Sequence, residues 1–277
     1  MNKIIFTFLL SIACLSFVSA QDDEKIKGDR NVTIKQTYIE PFNKIVIGEE
    51  FSVEIIFNSK ASVEVETDEN LHEYIVFEVV GGVLTFKTTK RITSSKRMNI
   101  KVNYTEGLET IETLEDGEIR SLTSLELKNA TLKTSGSSKA YLNFRTNAFN
   151  YTSSDKAKVK LNVTANTSTI VIGDNSKVEA LLNSKTVKMD IYQRATANIE
   201  GVAENLNLRL DLSASFNGKE FTTNTCNLVA EGNSNATIRV NDALTMEASG
   251  GSEVYLYGLP KITLTKFIDT AKLQKKE

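Results

Sequence analysis

The chain is poor in the residues that most active sites need. Its 277 residues include one histidine, His72, two cysteines, two prolines and no tryptophan. A single histidine excludes a multi-histidine metal centre and leaves no histidine-based relay to activate a nucleophile beyond His72 itself, which sits between Glu69 and Glu73 and reads as a structural or solvated group. No Gly-x-Ser-x-Gly elbow and no Gly-x-x-x-x-Gly-Lys-Ser/Thr phosphate loop occurs. Charge of one sign is also missing. Thirty-three basic and 35 acidic side chains leave a formal net charge of -2, with no cationic excess to neutralise a phosphate backbone, so nucleic acid is not an expected partner. After the first segment, no apolar run approaches the ~20 residues of a membrane-spanning helix.

The first twenty residues read as a targeting segment. Lys3 precedes an apolar run from Ile4 to Val18, and Val18-Ser19-Ala20 has the small residues of a cleavage site. The expectation is a cleaved signal peptide over 1–20 and an exported chain, in the periplasm, at the cell surface or outside the cell. A lipidated Cys14 is the competing reading; Ser11 and the apolar continuation after Cys14 speak against it. Cleavage after Ala20 leaves Cys226 without an intramolecular partner. Cys226 shares strand parity with Leu228 and Ala230 and reads as a small buried apolar residue.

What the chain does have is Thr, Val, Ile, Ser and Asn, a composition for strands and turns, and it has self-similarity. LKTSGSSKAYL (132–142) resembles MEASGGSEVYL (246–256). With Ala140 as anchor, the frame recurs at Ala157, Val178, Ala197, Phe216, Ala236 and Val254, with an earlier copy at Ile119, at intervals of 17 to 21 residues. Eight residues before the anchors stand Ile111, Leu132, Phe149, Ile170, Met189, Leu208, Leu228 and Met246, all large and apolar. Polar residues fall between the apolar columns, the period-two alternation of half-buried strands. Four before the anchor come Gly136, Ser153, Asp174, Gly232 and Gly250, types suited to a corner.

A two-strand unit of this size buries its apolar face only by stacking on copies of itself. The expectation is therefore an all-β fold, a right-handed parallel β-solenoid (β-helix) of 17–21-residue coils with an irregular β cap at the N-terminus. An antiparallel sandwich or barrel is the alternative. The expected organisation is a linker or first strand over 21–36, one solenoid domain over 37–265 with irregular coils and cap at 37–105 and regular coils at 106–265, and a charged tail over 266–277. Gly81-Gly82 predicts a tight hairpin turn, and Asp68 a cap for a helical turn running to Tyr74.

The segment FNKIVIGEEFSVEIIFNSKASVEVETDENLHEYIVFEVVGGVLTFKT, the Ser-Gly repeats and the closing ASGGSEVYLYGLPK together resemble the secreted bacterial family called putative auto-transporter adhesin, head GIN domain, over about Thr37 to Thr265. The resemblance implies an exported β-solenoid, a Bacteroidetes-type envelope setting and no catalytic set. The word auto-transporter is not matched: the residues after Val254 are too few for a membrane barrel.

Function must then be sought on the outside of the stack. Lys139, Lys156 and Lys177 each precede an anchor and would stack at about 4.8 Å into a cationic stripe for an anionic glycan or headgroup. Tyr141, Tyr255 and Tyr257 point outward on the same register and could stack on sugar rings. Solvated lysines and surface tyrosines of no special role are the plain alternative for both sets. Paired carboxylates for glycoside hydrolysis are not expected, since Asp155, Asp174, Asp190 and Asp211 fall in different columns and Asp116 and Glu118 have no acid on the next coil. The reading is a non-enzymatic scaffold, without cofactor or metal, that presents a repetitive surface to a glycan or envelope protein. A degenerate β-helix carbohydrate-active enzyme and a purely structural envelope protein are the alternatives.

Overall fold

A computed structural model of the chain describes residues 24–277; the signal-peptide and cleavage-site expectations lie outside the described residues. The chain is a parallel β-solenoid of about nine turns. One column of the interior runs Ile45, Ile111, Leu132, Tyr151, Ile170, Met189, Leu208, Leu228, Met246, each in parallel register with the next, and Leu264 extends its ladder at the end of the stack, where it is exposed. A second runs Val53, Ile119, Ala140, Val159, Val178, Ala197, Phe216, Ala236, Val254, Leu273.

Each regular coil is a long strand folded over on itself. In Lys158–Ile172 the buried residues are Val159, Leu161, Val163 and Ala165, then Ser168, Ile170 and Ile172. Asn166 and Thr167 are both exposed, so side-chain parity switches there. Because successive side chains of a strand face opposite ways, that single out-of-phase step turns the strand from one face of the coil to the opposing one, and the ladder skips Asn166 and resumes in register at Thr167. Lys177–Ile191 does the same between Ser184 and Val187.

The other end of the coil is a tight corner. Glu49, Glu115, Gly136, Asp155, Asp174, Gln193, Leu212, Gly232, Gly250 and Asp269 form a column there, all left-handed, with φ between 49° and 70°. Behind seven of these corners stands a small buried residue: Ser138, Ala157, Ser176, Ala195, Ala214, Ser234 and Ser252 are at most 1% exposed. The corner N–H groups donate back to the preceding coil, as Asn175 does to the Asp155 carbonyl at 2.8 Å and Arg194 to that of Asp174 at 2.9 Å.

This small-residue column corrects the repeat frame. Ala157 belongs to it and is not an anchor; Val159 pairs with Ala140, and Tyr151, not Phe149, pairs with Leu132. A slip of two residues leaves every side chain on its original face, so alternation alone cannot detect it, and only the hydrogen-bond register decides. With the slip removed, the spacing from Ala140 through Val159, Val178 and Ala197 to Phe216 is uniform.

At the N-terminal end, chain order and spatial order part. Lys44–Ile47 and Ser52–Phe57 form the first coil, and Thr110–Thr113 and Glu118–Ser121 stack directly on it. The intervening chain builds the cap. Ser62–Asp68 runs antiparallel to both Val32–Tyr38 and Met98–Tyr104, and Ile75–Val80 forms a hairpin with Val83–Thr88. Gly81 and Gly82 turn that hairpin with φ of 58° and 79°, the doubly positive geometry that glycine adopts without penalty. Glu69–Tyr74 is a short 3-10 helix, and Asp68 stands at its N-cap without capping it. The Asp68 carboxylate instead accepts the Lys96 N–H at 3.1 Å. His72 meets the Thr33 hydroxyl at 2.9 Å, and partial burial followed by the charge of Lys35 lowers its pKa.

At the far end, the segment expected as a charged tail is a further rung. Lys261–Phe267 pairs with the strand ending at Ala248, and Lys272–Lys275 pairs with Glu253–Leu256. The charged residues face out while Leu273 continues an interior column, so composition concealed a strand.

Candidate binding face

The outer face of the sheet that carries the second interior column is organised by the same register. Its first column reads Glu118, Lys139, Lys158, Lys177, Thr196, Ser215, Asn235, Glu253, Lys272. Three consecutive lysines are therefore aligned, and the middle one is Lys158. Lys156, expected there, lies in the corner turn, because its place in the frame moved with Ala157. The aligned small residues behind the corners, Ser138, Ala157 and Ser176, are the signal in the sequence that would have found Lys158.

Lys139 lies 3.5 Å from the Glu118 carboxylate one coil away. Lys158 and Lys177 have no carboxylate within 4 Å among the described residues and are exposed. Ammonium groups stacked at about 4.8 Å repel each other and favour an anion laid along the column. Beside them Lys160 meets Glu179 at 2.9 Å across neighbouring coils, which limits the local positive field.

The second outward column reads Arg120, Tyr141, Lys160, Glu179, Asn198, Asn217, Thr237, Tyr255, Gln274. Tyr141 and Tyr255 share it but stand six rungs apart, roughly 29 Å at the rung spacing, so they cannot grip one small ligand together. Tyr141 lies beside the lysine column, with the Arg120 guanidinium 4.7 Å from its ring centre. Tyr255 and Tyr257 are neighbours on one strand at the far end. The Tyr255 hydroxyl donates to Glu253 at 2.9 Å, which raises its pKa, and Lys276 stands 4.7 Å from its ring centre. Arg239 and Lys219 stand 5.3 and 5.4 Å from the Tyr257 ring centre. Cations thus already occupy one side of each tyrosine ring. Asn198 and Asn217, joined at 3.3 Å, lie between the two ends and add amide donors and acceptors.

The carboxylates are disposed differently from the expectation. Asp155 and Asp174 do share a column, the corner one. Their carboxylates accept backbone N–H groups, from Gly136 at 2.9 Å and from Asp155 at 3.0 Å, and so are committed to holding the corner. No group of three or more His, Cys, Asp or Glu residues is placed to hold a metal ion among the described residues. Cys226 is buried, and burial pushes its thiol up to about 12.

Solved structures share this architecture. A putative adhesin from Parabacteroides merdae ATCC 43184 superposes with a TM-score of 0.60 at 16% identity, over 92% of this chain and 100% of that one. A second putative adhesin, from Parabacteroides distasonis ATCC 8503, gives 0.58 at 19% identity, over 91% and 100%. A protein from the same organism described as a putative lipid binding protein gives 0.59 at 16%, over 92% and 100%. At these identities the likeness is one of fold. No curated protein matches the chain. The family described as putative auto-transporter adhesin, head GIN domain, matches residues 41–181 and again residues 148–260, which together span both the capped end and the regular coils, and the chain belongs to that family.

Proposed function

We propose that the protein is an exported, non-catalytic scaffold that binds an anionic glycan or envelope component along the outer column Lys139–Lys158–Lys177, with Tyr141 as the adjoining stacking surface. The observation that carries this reading is the alignment of three lysines on consecutive coils, two of them without an acidic partner among the described residues, on a rigid ladder. The family and the adhesin-like neighbours support a binding role. The commitment of Asp155 and Asp174 to backbone hydrogen bonds supports binding without turnover.

The test is binding to an array of sulfated, uronate-containing and neutral glycans, and to isolated cell envelopes, at graded ionic strength. The wild type is expected to retain anionic members and lose them as salt rises, and the triple variant Lys139→Glu, Lys158→Glu, Lys177→Glu to retain none. Retention unaffected by the triple variant, or steady release of reducing ends from a polysaccharide panel, would overturn the reading.

A further inference from the structure

A groove of about 970 Å³ lies where the cap meets the first coils, and none of the three column lysines lines it. Its floor is apolar: Phe51, Ile92 and Met98 line it. One wall is the two-stranded sheet in which Lys25–Lys27 runs parallel to Arg91–Ser94. Every residue from Arg91 to Ser95 lines the groove, and Arg91–Ser94 pairs on one edge only among the described residues. The other wall is the corner of the first two coils, with Glu49, Glu50, Glu115 and Asp116.

The charges on the two walls are opposite and largely free. Glu49 accepts from the backbone and hydroxyl of Thr88 at 3.3 and 3.1 Å, and Glu115 accepts the Glu49 N–H at 2.6 Å, so these two acids are used by the fold. Glu50 and Asp116 on the coil wall, and Lys25 and Arg91 on the sheet wall, are exposed and make no ion pair within 4 Å among the described residues.

We infer that this groove is a docking site for an extended peptide segment of another protein. A strand with an unpaired edge offers alternating N–H and C=O groups, which an extended peptide matches residue by residue and a sugar does not. Alternate side chains of such a strand point down onto Phe51, Ile92 and Met98. A basic side chain reaches Glu50 and Asp116, and an acidic one reaches Lys25 and Arg91. The site is independent of the lysine column, so either reading stands or falls alone.

The test uses the purified protein and two fluorescein-labelled heptapeptides with blocked ends and alternating valine and threonine. One has lysine first and aspartate last; in the other the two are exchanged. Fluorescence anisotropy is expected to show saturable binding with a several-fold preference for one of the pair, and backbone N-methylation of that peptide to abolish it. Hydrogen exchange of the complex is expected to slow at 91–95. A variant with Lys25→Glu, Arg91→Glu, Glu50→Lys and Asp116→Lys, all at exposed positions, is expected to keep its unfolding temperature and invert the preference. No saturable binding by either peptide up to about 1 mM overturns the inference. So does binding whose preference the charge-exchanged variant leaves unchanged, or exchange protection that falls outside the groove.

Discussion

The Asp155 carboxylate accepts the backbone N–H of Gly136, one coil earlier, at 2.9 Å. The same relation recurs between Asp174 and Asp155 at 3.0 Å, between Asp269 and Gly250 at 2.9 Å, between Glu115 and Glu49 at 2.6 Å, and between Gln193 and Asp174. A left-handed corner residue thus does two things at once. Its backbone turns the chain, and its side chain satisfies the corner of the coil before it.

Leu212 occupies this column with φ of 62° and an exposed side chain that can accept nothing. A branched residue in the left-handed region costs roughly 1 kcal/mol. Leu212→Gly is expected to stabilise the fold by about 0.5–1 kcal/mol. Leu212→Asp is expected to match or exceed it by accepting the Gln193 N–H. Asp155→Ala is expected to cost about 1–3 kcal/mol, since it removes a charge-assisted hydrogen bond. Chemical denaturation midpoints at constant slope measure all three; a destabilised Leu212→Gly would contradict the corner account.

The small-residue column behind the corners contains hydroxyls that the interior does not use. Ser176, Ser234 and Ser252 bury their Oγ atoms without a hydrogen-bond partner, whereas Ser138 meets Thr113 at 2.9 Å. Ser176→Ala and Ser234→Ala are expected to be neutral or stabilising by up to about 1 kcal/mol, and Ser138→Ala to be destabilising by a similar amount. Thermal unfolding of the three variants side by side distinguishes them, and equal effects at Ser138 and Ser176 would count against the distinction.

Phe216 and Gly218 form a large-small pair on one strand. A Cβ placed on Gly218 would lie 2.5 Å from a ring carbon of Phe216. Gly218→Ala is expected to cost about 1–3 kcal/mol by overpacking. Phe216→Leu in the same chain should recover part of that loss, and a double-mutant cycle measures the coupling. Strict additivity of the two changes would mean that the ring and the glycine do not share their space.

Two buried groups oppose ionisation at high pH. Desolvation raises both the Tyr151 hydroxyl and the Cys226 thiol to about 12, above their ordinary values of about 10 and 9. Each is protonated in the fold and ionises more easily when unfolded. The stability each contributes is complete below its ordinary value and is lost as pH rises towards 12, by about 1.4 kcal/mol per pH unit for each group over that interval. Cys226→Ala is expected to flatten the decline between pH 9 and 10 in denaturation curves. The native thiol is also expected to resist alkylation at neutral pH and to react on unfolding; rapid labelling of the folded protein would show that Cys226 is not sealed.

The amino-acid sequence alone determined the kind of fold. Period-two alternation with large apolar residues at Leu132, Ile170, Met189, Leu208, Leu228 and Met246 is a local property, and a chain with several such units must stack them to bury their faces. It also showed the Gly81-Gly82 hairpin and the outward direction of Tyr141, Tyr255 and Tyr257, since those follow from parity and turn chemistry. Three things were decided only in three dimensions. The register that replaces Lys156 by Lys158, and brings Asp155 under Asp174, depends on hydrogen bonds between coils, because a two-residue slip leaves the alternation intact. The cap depends on strands from Val32 to Tyr104 that pair out of chain order, some antiparallel to one another and some parallel to the first coil, which no repeat period records. The groove between Arg91 and Asp116 belongs to neither segment alone; after Phe57 the chain builds the cap, laying Val83–Leu84 and Ile100–Tyr104 on one side of the first coil, and returns at Thr110 to lie on the other side.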